Sequence, residues 1–145
     1  MNRSLRSTLA TLAGGLVLHG AAGAHSTPIT EVAVPAPRVI HGITVVDGGA
    51  SSDEAQAMRR LSTQYPLRVV LSAPNGEYQV ADRLSVWRGG HLVTEVDNAG
   101  PWVLMDLPPG PYTLQSRIDG QLMQRPLTLS ASGTTLHWVM PSARD

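Results

Sequence analysis

Five histidines and no cysteine bound the chemistry this chain can do. His41, His91 and His137 share no short spacing with one another, nor with a serine or acid, of the kind that a nucleophile, base and orienting group require. They read as single histidines at turns or on solvent-facing strand positions. Gly48-Gly49 stands before a stretch with helical spacing, where free backbone N–H groups could meet an anion. No lysine or further glycine completes a phosphate loop, and Asp53 and Glu54 in the first turn would repel a phosphate, so the pair reads as a turn. Two positions remain. If a leader is cleaved after Ala24, His25 becomes the mature N-terminus, and a terminal amine with an imidazole chelates copper, most strongly with a second histidine nearby. Trp87, next to Arg88, falls out of phase with Leu84 and Val86; an outward-facing aromatic there could grip a sugar or a partner's backbone edge.

The address comes from the first residues. Arg3 and Arg6 are followed by an apolar run from Leu9 to Leu18 and by Ala22-Gly23-Ala24, so residues 1–24 read as a secretory signal, which would also remove His19. The run is short for a bilayer span. The protein is therefore expected in the periplasm or outside the cell, without a membrane span once the signal is removed. With no cysteine, neither a disulfide nor a lipid-modified cysteine is available. All 11 basic residues are arginine, and without Arg3 and Arg6 the charge is −2, which argues against nucleic acid or an anionic membrane as the main partner.

The elements that would position these residues are mostly strands. Residues 25–38 carry Pro28, Pro35 and Pro37 without periodicity and read as a flexible leader, with one domain over 39–145. Val39–Val46 reads as one strand. Ser51 and Glu54 form a capping-box pair, and Ala55, Met58, Leu61 and Tyr65 follow at helical spacing, predicting a helix over about 51–65 that stops at Pro66. Strands are expected at Leu67–Ser72, within Tyr78–Arg88, at His91–Val96, on both sides of Leu107-Pro108-Pro109-Gly110, at Gln121–Leu129 and at Thr134–Met140, with hairpin turns at Gly89-Gly90 and Asp119-Gly120. The fold class predicted is mainly β, a sandwich of two sheets with one helix laid against it. Trp102 and Trp138 are in phase with apolar neighbours and read as core.

Gly48–Tyr78, followed by Gly100-Pro101, Leu107-Pro108-Pro109-Gly110 and Tyr112-Thr113, resembles the small exported bacterial carboxypeptidase regulatory-like domain proteins, over roughly residues 43–130. The resemblance implies a seven-stranded transthyretin-like (prealbumin-like, Ig-like) sandwich, with an N-terminal strand and helix added. It transfers no catalytic residue, because such modules accompany many unrelated activities. The hydroxyisourate hydrolases that share the fold end in Tyr-Arg-Gly-Ser, whereas this chain carries HWVMPSARD. No His-x-x-Glu pair offers the zinc ligands of a metallocarboxypeptidase. Ala81–Gly90 departs from the family's regular alternation.

The reading that emerges is a non-catalytic exported module of the cell envelope that binds another envelope protein, with no cofactor. The alternatives are copper at His25 and carbohydrate at Trp87.

Overall fold

At His41-Gly42 the chain turns back on itself, with φ of +52° and +81° at successive residues. That is the geometry of a two-residue hairpin turn, whose twist matches the strands it joins. Val39–Val46 is therefore two strands, β1 (Arg38–Ile40) and β2 (Ile43–Gly48), paired antiparallel with Ile40 opposite Ile43. Histidine there does the work that asparagine more often does before glycine, which is why one strand was expected.

A computed structural model describes residues 34–141, all within one compact unit spanning Val32–Asp145. After β2 come helix α1 (Ser52–Ser62), β3 (Leu67–Ser72), β4 (Ala81–Arg88), β5 (His91–Ala99), β6 (Trp102–Met105), β7 (Gly110–Ile118), β8 (Gln121–Leu129) and β9 (Thr134–Val139). The described residues thus hold nine strands rather than the seven expected. The split of Val39–Val46 at His41-Gly42 supplies a strand beyond the expected runs. Strand β9, which falls where a strand was expected at Thr134–Met140, lies outside the span of the resemblance and pairs parallel with β3 at the edge opposite β1. Sheet A has the order β1-β2-β6-β3-β9 and sheet B the order β5-β4-β7-β8. The two form a β-sandwich-like body.

Leu107-Pro108-Pro109 carries the chain from sheet A to sheet B, so prolines lacking an N–H cost no ladder bond there. Tyr112 locks this crossing. Its hydroxyl donates to the carbonyl of Pro108 and accepts from Arg88 Nη1 at 3.4 Å, a tie of the tyrosine-corner kind. Gly110 has φ +146°, and a Cβ there would lie 2.8 Å from Arg88 Nη2. Tyr112→Phe is expected to cost about 1–3 kcal/mol, because the Pro108 carbonyl loses its partner; urea unfolding measures it.

Two apolar layers result. Between the sheets lie Leu67, Val69 and Leu71 from β3, Val103 and Met105 from β6, Leu136 and Trp138 from β9, and Leu84, Val86, Val96, Leu114 and Ile118 from sheet B. Against the other face of sheet A, α1 packs Ala55 and Met58 on Val46, Val70, Trp102 and Leu104. Strand β6 is buried at every residue, since its two faces serve the two layers. Trp138 is core as expected, while Trp102 is buried under the helix rather than between the sheets.

The helix begins at the predicted N-cap, Ser51, but the second half of the capping box is displaced, with Glu54 reaching back past Ser51 to Gly49. Glu54 N–H donates to Ser51 Oγ at 3.1 Å, and Glu54 Oε1 accepts from Gly49 N–H at 2.9 Å. It ends at Ser62, earlier than expected, where the Ser62 and Thr63 hydroxyls donate back to the carbonyls of Arg59 and Arg60. Arg68 Nη1 then donates to the carbonyls of Ser62 and Tyr65, both at 3.3 Å, placing a cation at the helix's negative end. Ser51→Ala is expected to cost about 1 kcal/mol, seen as a small fall in unfolding midpoint.

Candidate functional site

The outer face of sheet B is built by alternation. On β4, Arg83, Ser85 and Trp87 point away from the inter-sheet core; on β7, Thr113, Gln115 and Arg117 do so. Register places Arg83 opposite Arg117, Ser85 opposite Gln115 and Trp87 opposite Thr113. On the flanking strands, Asp97 and Glu95 lie opposite Arg83 and Ser85, and Leu122, Gln124 and Pro126 lie opposite Arg117, Gln115 and Thr113. A bulge at Val86/Trp87 puts Leu92 opposite Trp87. The extra residue of the bulge is Val93 on β5, while β4 keeps an unbroken register with β7 from Arg83 to Trp87, so the irregular alternation expected in Ala81–Gly90 is not a bulge of that strand.

Trp87 is half-buried on this face, as its phase predicts, and its Nε1–H donates to Ser85 Oγ at 2.9 Å. The Arg88 guanidinium sits over the Tyr112 ring, 5.3 Å from the centroid. Two shallow hollows meet at Trp87. One, of about 200 Å³, is lined by Arg83, Ser85, Trp87, Glu95, Gln115, Arg117 and Leu122. The other, of about 260 Å³, is lined on its far side by Pro111, Tyr112, Pro126 and Thr128.

Arg83 Nε donates to Asp97 Oδ1 at 2.7 Å and lies 4.0 Å from Glu95 Oε2. The hydrogen bond to Asp97, then the charges of Asp97 and Glu95, raise the arginine's pKa above its ordinary value. The guanidinium is already charged at every working pH.

A second feature is the edge of sheet A at β9. The N–H groups of Thr134 and Met140 donate to the carbonyls of Pro66 and Ser72, on the β3 side. By alternation Leu136 and Trp138 also point their N–H groups toward β3, while Thr135, His137 and Val139 present theirs to the open side. Among the described residues no strand pairs with that side. The other edges are defended in ways that β9 is not. Strand β8 carries Arg125 and Pro126, β5 carries Glu95 and Asp97, and β1 has only three residues. Thr134–Val139 contains neither a proline nor an acidic or basic residue apart from His137, and Val139 is 56% exposed.

The other sequence candidates separate. His41 is in the β1–β2 turn, His91 opens β5 and His137 is on β9. Among the described residues, no group of three or more His, Asp or Glu side chains could hold a metal. His25, the copper ligand considered, lies outside the described residues, as does the signal segment. No helix among the described residues is long and apolar enough to cross a membrane. The undefended β9 edge depends on a parallel pairing between residues 67 apart at Arg68 and Thr135; the absence of charge and proline in 134–139 was its one sequence signal. Comparison with known protein families and with curated proteins gives no match.

Proposed function

We propose that this chain is a non-catalytic binding module of the cell envelope, which docks an extended segment of another envelope protein along β9. The observation that carries this reading is the undefended edge: outward N–H and C=O groups at Thr135, His137 and Val139, with neither proline nor formal charge to repel an added strand. The apparent export signal and the resemblance to carboxypeptidase regulatory-like proteins support an exported, periplasmic or secreted transthyretin-like domain. The two-sheet body with a helix on one face is compatible with that resemblance, and the additional hairpin and β9 would be its elaborations.

Strand addition makes a backbone prediction that side-chain binding does not. His137→Pro removes an outward N–H without touching the bonds to β3, a position where an edge strand accepts proline. A photo-crosslinker at Val139, used in intact cells, is expected to capture one protein reproducibly, to lose it with His137→Pro and to keep it with His137→Ala. Equal capture by the His137→Pro protein, or equal capture from a crosslinker at Gln124 on sheet B, would remove the β9 reading.

A further inference from the structure

We infer that the outer face of sheet B is an oligosaccharide-binding platform, with Trp87 as its stacking surface and Glu95, Gln115 and Arg117 as its hydrogen-bonding groups. This site is separate from the β9 edge.

Three observations carry the inference. First, Trp87 lines both hollows on this face, so one aromatic side chain borders two neighbouring subsites. Second, the indole N–H is committed to Ser85 Oγ at 2.9 Å, which ties the ring to its own strand two residues back. What Trp87 has left to offer a ligand is ring surface, held in place before binding, which lowers the entropy lost on association. Third, the groups around the first hollow are planar and polar: the Glu95 carboxylate, the Gln115 amide and the Arg117 guanidinium. Each can meet two neighbouring oxygens at once.

A sugar ring presents one face of C–H groups and a rim of hydroxyls that both donate and accept. The C–H face suits an aromatic ring; the hydroxyl rim suits paired carboxylate, amide and guanidinium groups. Arg83 and Trp87 are four residues apart on one strand, roughly 13 Å along the sheet. The surface is therefore long enough for several rings in a row. It is a surface for binding rather than hydrolysis. Glu95 and Asp97 are on one strand and both face Arg83, instead of flanking a cleft from opposite sides as a pair of glycosidase carboxylates must.

The test uses the purified chain and four defined probes, cellohexaose, chitohexaose, mannohexaose and hexagalacturonate, with affinities from isothermal titration calorimetry. At least one probe is expected to bind. For that probe Trp87→Ala should weaken binding by at least about tenfold, the loss of one aromatic anchor, while Trp87→Tyr retains most of it. Gln115→Ala should weaken binding with an unchanged unfolding midpoint, which separates recognition from folding. Binding by none of the four probes, or equal binding by the Trp87→Ala and parent proteins, would overturn the inference. His137→Pro should leave sugar binding intact, so failure of the β9 reading and failure of this one are read separately.

Discussion

Leu114→Ala is expected to destabilise the protein by about 2–5 kcal/mol, a large share of the 5–15 kcal/mol that typically holds a domain together. Leu114 is fully buried at the middle of β7, the strand that joins β4 to β8, and it lies opposite Val86. Its side chain belongs to the layer that holds the two sheets face to face. Truncation removes its transfer free energy and leaves a cavity lined from both sheets, which can collapse only if the sheets move together. Urea denaturation should show a lower midpoint with an unchanged slope, meaning that stability has changed while the surface exposed has not. A cost below 1 kcal/mol would mean that the inter-sheet layer is not the main core.

Trp102→Ala is expected to cost about 3–5 kcal/mol, and to act first on the helix. Trp102 is 8% exposed and fills the space between α1 and sheet A; a Cβ on Gly49 would come within 2.6 Å of its Cδ1. Arg59 lies over the indole, 6.0 Å from its centroid, and holds its position by donating from Nη2 to Tyr78 Oη at 3.1 Å. Removing the indole takes away the largest side chain of sheet A that α1 packs on, and helical circular dichroism should fall at lower denaturant than the inter-sheet signal does. Trp102→Phe should cost less. It keeps a ring beneath Arg59, and it removes an indole N–H that is buried and finds no hydrogen-bond partner among the described residues. If Trp102→Ala cost no more than Ser51→Ala, the layer under the helix would contribute little to stability.

What was legible in the sequence was local. Asp119-Gly120 and Gly89-Gly90 make their hairpins with positive φ at both residues, as their types require. Ser51 and Glu54 cap the helix across three residues, and the alternation of Tyr112, Leu114 and Ile118 with Thr113, Gln115 and Arg117 gives the two faces of β7 correctly. What depended on distant partners was not legible. Trp102 and Val103 are adjacent apolar residues of one strand, and only the placement of α1 decides that the first faces the helix and the second the opposite sheet. The parallel pairing of β9 with β3 has no turn to announce it. At the candidate site, the phase of Leu84 and Val86 correctly turned Trp87 outward. Arg88 was grouped with Trp87 by adjacency alone; its contact with Tyr112, on another strand, was not legible.

The central claim is that β9 receives a strand, and amide hydrogen exchange on the purified complex with the protein captured through Val139 tests it most directly. Free, the outward N–H groups of Thr135, His137 and Val139 should exchange quickly, while those of Leu136 and Trp138, bonded toward β3, exchange slowly. The account predicts that binding slows Thr135, His137 and Val139 and leaves Leu136 and Trp138 nearly unchanged. Protection that leaves all three outward amides fast in the complex would contradict it.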